Sequence, residues 1–176
     1  MNTSDFSSKK INVLFFSAIG AVLIFSILFW SVIRSHRSDV VTKPTEKQYY
    51  ASGVLKSRTE VSDGVPDGLS QGWYTNGQLQ VTEYFTNGVS HGLRTKWFIT
   101  GEKKSEAEID RGEIHGRYKR WYSNGQLAED AGFSNGVPHG ISYAWFEGGA
   151  QKAKVSMNNG SVVEQQFWDE TGVPVQ

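Results

Sequence analysis

The chain has no cysteine, which excludes disulfides and thiolate-bound metals and leaves the redox compartment open. It has no net charge. Eighteen Lys and Arg balance 18 Asp and Glu, so no global field draws it to nucleic acid or to a membrane surface. Beyond residue 33 there is no helical periodicity and no capping box ahead of an apolar stripe, so no helix is expected there. No G-x-x-x-x-G-K-[ST] loop offers a phosphate cradle. Proline is scarce, at four residues, whereas glycine numbers 19 and Trp, Tyr and Phe number 6, 7 and 10. That combination fits short strands joined by tight turns, with large rings supplying the buried area. At 176 residues there is room for one domain and an appendage.

The glycines and tryptophans are evenly spaced. Gly68, Gly92, Gly116 and Gly140 are 24 residues apart, and so are Trp73, Trp97, Trp121 and Trp145. Gly77, Gly101, Gly125 and Gly149 keep the same period, as do Gly64, Gly88, Gly112, Gly136 and Gly160. Several columns holding one period signal an array of stacked supersecondary units. Tyr49-Tyr50 and Gly53 open the array as a half repeat. At the far end Phe167-Trp168 arrives one residue early, and Glu164 stands where the next glycine of the Gly68 column would fall. Degenerate ends are expected of units that face solvent on one side.

Ahead of the array lies a polar tail, residues 1–10, and then an uncharged run, residues 11–33, from Ile11 to Ile33. As a helix this run reaches roughly 34 Å, enough for a hydrocarbon core of about 30 Å. It is longer than a signal-peptide core, and Arg34 to Arg37 replace a cleavage site, so it reads as an uncleaved transmembrane anchor. Lys and Arg counts favour a cytoplasmic array, whereas the short tail favours an extracytoplasmic one; the reading adopted is extracytoplasmic. Residues 34–48 form a linker around Pro44, and residues 49–176 the repeat domain.

Within a unit, Asn76-Gly77 sits between an aromatic run and an alternating one, which reads as a hairpin with both turn residues at positive φ. A two-residue turn pairs Tyr74 with Leu79 and Gly72 with Val81. One face then carries Tyr74, Leu79, Val81 and Phe85, and the other Trp73, Gln80, Thr82 and Tyr84. The second connection, typified by Asn87 to Gly92, reads as a longer loop. The fold expected is an all-β repeat domain: one elongated antiparallel meander of stacked hairpins, preceded by one N-terminal transmembrane α-helix.

Trp-Tyr-x-Asn-Gly, an alternating strand, then Asn-Gly-Val-x-His-Gly resembles the MORN repeat, and in particular its bacterial variant found in proteins labelled antitoxin-like. The resemblance covers Tyr49 to Gly172. Lys103 and Gln151 depart from it, standing where Leu79 and Leu127 do in the other units. It implies an extended sheet surface that binds proteins, and for some members contact with phosphoinositides.

No catalytic set stands out. His91, His115 and His139 recur at one position, but equivalent corners of adjacent units lie about 10 Å apart, too far to share an ion held at about 2 Å. A role beside the turn glycine is expected, and neither a metal nor a cofactor. His36 has no partner in the sequence. Glu106, Glu108 and Asp110 read as a solvated edge, or as cross-strand partners of Arg117, Lys119 and Arg120. Gly88-Val89-Ser90-His91-Gly92 matches G-x-S-x-G in letters, but the nucleophile elbow needs a strand leading into a helix. The function expected is non-enzymatic binding of a protein partner, in an antitoxin or immunity role, through Trp73, Tyr74, Trp97, Phe98, Trp121, Tyr122, Trp145 and Phe146. The alternative is anionic lipid at Arg94, Lys96, Lys103, Lys104, Arg117, Lys119 and Arg120. Nucleic acid is disfavoured beside a membrane, and an open sheet leaves edges for self-association.

Overall fold

Five Xaa-Gly pairs set the frame: Asp63-Gly64, Asn87-Gly88, Arg111-Gly112, Asn135-Gly136 and Asn159-Gly160. Both residues of every pair have positive φ, 47° to 51° at the first position and 76° to 88° at the glycine. That is the signature of a type I′ turn, whose twist matches the strands it joins. The computed structural model, which describes residues 42–175, places one such turn at one end of every unit.

The strands are β1 (Thr45–Tyr49), β2 (Leu55–Ser62), β3 (Val65–Trp73), β4 (Leu79–Thr86), β5 (Val89–Ser90), β6 (Gly92–Trp97) and β7 (Lys103–Asp110). They continue as β8 (Glu113–Trp121), β9 (Leu127–Ser134), β10 (Val137–Pro138), β11 (Gly140–Trp145), β12 (Gln151–Asn158), β13 (Ser161–Trp168) and β14 (Pro174–Val175). All lie in one antiparallel sheet running β1-β2-β3-β4-β6-β7-β8-β9-β11-β12-β13-β14, with β5 beside β4 and β10 beside β9. The elongated meander expected from the repeat is therefore present. Among the described residues no helix is long and apolar enough to cross a membrane. The anchor expected at residues 11–33 lies outside the described residues.

The two corners of the hairpin exchange the roles that the sequence suggested. Asn76 does not have positive φ; Gly77 does, at 83°. The Tyr74 N–H donates to the Gln78 carbonyl at 2.8 Å, and the Gly77 N–H to the Tyr74 carbonyl at 2.9 Å, so the loop is wider than two residues. Trp73, and not Tyr74, stands opposite Leu79, while Gly72 does face Val81, with a register shift between them. Leu79 thereby moves to the Trp73 face, and Gln80 joins Val81 beside one depression. The supposedly longer connection is the tight one: Thr86 pairs with Val89 directly across Asn87-Gly88.

Arg111 has no amide side chain to ease the left-handed conformation, yet sits at φ 49°. Arg111→Asn is expected to stabilise the chain by about 1 kcal/mol. Urea denaturation of the full chain checks this, and an unchanged midpoint contradicts it.

Units are stitched at both ends. The Gly88, Gly112, Gly136 and Gly160 amides donate to the Pro66, Ser90, Ile114 and Pro138 carbonyls of the preceding unit at 2.7–2.9 Å. At the opposite end the Tyr50, Tyr74 and Tyr122 hydroxyls donate to the Trp73, Trp97 and Trp145 carbonyls at 2.7, 2.8 and 2.9 Å. Asn76 and Asn124 do two jobs each. Their Oδ1 accepts the Gln78 or Gln126 amide, and their Nδ2 donates to the Ile99 or Glu147 carbonyl of the next loop. Thr100 and Gly148 hold the same place in the other units, so these amide links recur every 48 residues. The early arrival of Trp168 has a local cause. β3 and β8 have nine residues each and carry Gly68 and Gly116 at φ 128° and 107°; β13 has eight and carries Glu164 without positive φ. The residue lost is the one that needed a glycine conformation.

The core is thin. Val61, Ala107, Ile109, Ala128, Ala131 and Ala153 are its buried apolar residues, and among the described residues no large side chain is fully buried. Among the described residues no second layer lies against the sheet, and a single layer by itself cannot bury more.

Candidate functional site

The eight aromatics expected to bind a partner are all half-buried. Two spend their hydroxyls on neighbouring units, as above. Four rings carry a cation from their own array: Lys103 over Trp121 at 5.2 Å, Lys104 over Phe98 at 5.5 Å, Arg120 over Tyr122 at 5.8 Å and Lys152 over Phe146 at 5.3 Å. Such contacts contribute about 0.5–1 kcal/mol at exposed sites. Tyr74 and Tyr122, through their hydroxyls, and Trp121, under Lys103, therefore link adjacent units, whereas Phe98 and Phe146 meet a cation of their own hairpin.

The seven cations do not form one patch. Directly opposed residues share a face, so Lys96 lies with Ser105 and Arg120, while Lys119, opposite Glu106 and Asp130, lies on the other. Four of the seven are ion-paired. Arg94 engages Glu83, Arg117 engages Asp130, Lys103 reaches Glu106 at 2.7 Å and Arg120 reaches Glu129 at 3.3 Å. Arg117 and Arg120 thus pair with β9 and not with the β7 carboxylates that the sequence suggested. Among the described residues Lys96, Lys104 and Lys119 have no ion-pair partner.

Ser90 is 8% exposed and donates to Glu83, whose carboxylate also accepts from Arg94 Nε at 2.7 Å. This hydroxyl is fixed by a carboxylate that an arginine already neutralises, which is an arrangement for packing a polar group and not for activating a nucleophile. The three histidines sit beside turns. His91 Nδ1 lies 3.2 Å from Asp110, and His115 and His139 accept the Asn135 and Asn159 amides at 3.3 and 3.4 Å. Among the described residues no group of three or more His, Cys, Asp or Glu could hold a metal ion.

Two depressions lie on the Lys96 face. One, of about 470 Å³, is bounded by Tyr74, Gln80, Val81, the Glu83–Arg94 pair, Lys96, Trp97 and Lys104. The other, of about 220 Å³, is apolar and lined by Ala131, Phe133, Ala144, Ala153, Val155 and Met157. Tyr118 stands edge-on to Phe133 at 6.1 Å, and burial pushes its hydroxyl pKa up, with Glu129 adding to the effect. The opposite face shows Tyr84, Leu93 and Ile141, each more than two-fifths exposed. Sequence reading missed the two depressions, because they depend on where the register shifts fall.

Two half-buried carboxylates hold the ends of the array. Asp67 takes the Lys43 ammonium and the Asn87 amide, and these hold its pKa below the usual range. Asp169 Oδ1 accepts from the Thr171 hydroxyl at 2.7 Å and from the Thr171 and Val173 amides at 2.9 and 3.0 Å, with the same effect. A carboxylate whose pKa is depressed by folding stabilises the fold above its unfolded value, about 3.9, and loses that contribution as pH falls through the lower folded value. A carboxyl-shift titration of the full chain is expected to find Asp169 among the last to protonate. A midpoint at or above the ordinary aspartate value contradicts these contacts.

Residues 66–88 and 114–135 match the model of the family described as MORN repeat variant. The two segments begin 48 residues apart, the spacing at which the Asn76 and Asn124 links recur. No curated protein matches the chain. Among solved structures, a crystal structure of an S. aureus TarM point mutant in complex with Fondaparinux, alpha-GlcNAc-glycerol and UDP aligns at 11% identity. That alignment covers 77% of this chain and 23% of that one with a TM-score of 0.37.

Proposed function

We propose that this chain, two segments of which match the MORN repeat variant family, is a non-enzymatic module that captures a protein partner on an open face of its sheet. The observation that carries this is the single layer: all described elements are strands of one sheet, and among the described residues none packs over the face that holds the two depressions. An apolar depression on an open face is the kind of surface that seats a partner's side chain. The anchor at residues 11–33 would hold the module at a membrane, with the repeats outside the cytoplasm, and an antitoxin or immunity role is the specific form of the proposal.

Purification of the full chain from native membranes tests it. One protein is expected to accompany the chain in stoichiometric amount; none, alongside binding to anionic vesicles alone, overturns the reading in favour of lipid. The immunity form predicts that the partner arrests growth when expressed without this chain, and a harmless partner removes that form. A C-terminal reporter enzyme that works only outside the cytoplasm is expected to be active.

A further inference from the structure

We infer that the Lys96 face docks an extended segment of the partner, with carboxylates seated at Lys96 and Lys104 and a large apolar side chain seated over β9, β11 and β12. This rests on the protein-binding reading and specifies its face and its chemistry.

A row of directly opposed residues joins the two depressions. Val81 faces Lys96, Lys96 faces Ser105, Ser105 faces Arg120, Arg120 faces Glu129, Glu129 faces Ala144, and Ala144 faces Ala153. Opposed residues lie on one side of a sheet, so both depressions open on the same face. From Lys96 to Ala144 is four strand steps, about 19 Å, which an extended chain covers in roughly six residues. Such a segment runs across the strands. It cannot add to the sheet through its main chain, so its side chains must carry the recognition.

The chemistry differs along the row. At one end Arg94 is taken by Glu83, whereas Lys96 and Lys104 are exposed and lack a carboxylate partner among the described residues. In the middle Arg120 and Glu129 neutralise each other at 3.3 Å. At the other end the floor is Ala131, Ala144 and Ala153, with Phe133, Val155 and Met157 as walls. Small residues on the floor leave room, and the surrounding apolar groups favour an apolar occupant. Two exposed ammonium groups without an ion-pair partner among the described residues favour carboxylates, even with Lys104 resting over Phe98. A flat anionic bilayer would call for cations gathered on one side, and here Lys119 points away from Lys96. An acidic polypeptide segment with an apolar residue fits both ends.

The test uses the full chain in discs of zwitterionic lipid, probed with phage-displayed random peptides about 16 residues long, enough to span both depressions. Enriched peptides are expected to carry Asp or Glu about six residues from a large apolar residue. The K96E/K104E variant should bind them at least about tenfold more weakly, and so should Ser142→Trp, which fills the apolar depression. Lys96→Gln with Lys104→Gln serves if charge reversal impairs folding. The inference is overturned by no enrichment over empty discs, by enriched peptides without acids, or by variants that bind equally. It is also overturned if phosphatidylglycerol vesicles, and not peptides, bind through these two lysines. If a partner co-purifies and is retained by the K96E/K104E chain, this docking face fails while the protein-binding reading stands.

Discussion

Gly116→Val should cost the chain about 3 kcal/mol, enough to unfold a marginal repeat array. Gly116 has φ 107°, where a β-branched side chain is strained whatever the space around it. The space is also taken: a Cβ on Gly116 would run into the Glu108 carboxylate. The same arrangement recurs 48 residues earlier, with Glu60 over Gly68 and its Oε2 accepting the Leu69 amide at 3.0 Å. Each glycine therefore lets a glutamate cover the irregular stretch of the strand. Stability in such arrays is a sum over units and their interfaces, so damage in β8 loosens β7 and β9 on either side. Urea denaturation of the full chain should show the loss, with amide exchange quickening first in β7 to β9. A loss under about 1 kcal/mol would mean that the sheet takes another path there.

Tyr122→Ala is the second large effect, at about 3 kcal/mol. Its ring is half-buried, lies under Arg120 at 5.8 Å, and its hydroxyl reaches the Trp145 carbonyl at 2.9 Å. Tyr122→Phe removes the hydroxyl alone and should cost about 1 kcal/mol. Phe98 occupies the equivalent place one unit earlier, so Phe98→Tyr should reach the Trp121 carbonyl and regain a similar amount. If Tyr122→Phe costs nothing and Phe98→Tyr destabilises, the rings do not link units through their hydroxyls.

The repeat was legible because each column answers one backbone demand. Glycine at 64, 88, 112, 136 and 160 marks positive φ in every unit, and the column from Gly77 to Gly149 keeps the same period with the same demand. Which corner is tight was misread, because Asn-Gly occurs at both. The purity of the columns held the answer. Asp63, Asn87, Asn135 and Asn159 precede the turn glycine in four of five units, whereas Asn76 and Asn124 alternate with Thr100 and Gly148. An amide that appears in every second unit serves through its side chain, as the contacts to Ile99 and Glu147 show.

The candidate site was less legible than the fold. Trp73 and its repeats were expected to present a binding surface; all four rings are half-buried, and Lys103 lies over the Trp121 ring at 5.2 Å. Periodicity places a residue in a column but does not say whether the column faces solvent or its neighbour. The register shifts are also silent in sequence, because moving Gln80 beside Val81 takes one irregular hydrogen bond and no special residue type. Charge pairing was misassigned for a related reason. Arg120 faces Ser105 on β7 and Glu129 on β9, with Glu106 on the other side of the sheet opposite Lys119, so its facing leaves it only the β9 carboxylate, while Arg117 takes Asp130.

The account stands or falls on an open sheet whose units advance in one direction. The absence of cysteine makes this directly measurable, since pairs of introduced cysteines take spin labels without background. Labels at Thr75, Ile99, Ser123 and Glu147 mark the exposed loop of four successive units. Electron–electron distances from Thr75 should rise with each unit, by about 10 Å per step, to about 29 Å at Glu147. A distance from Thr75 to Glu147 no longer than that to Ile99 would mean that the sheet closes on itself, and the open binding faces would not exist.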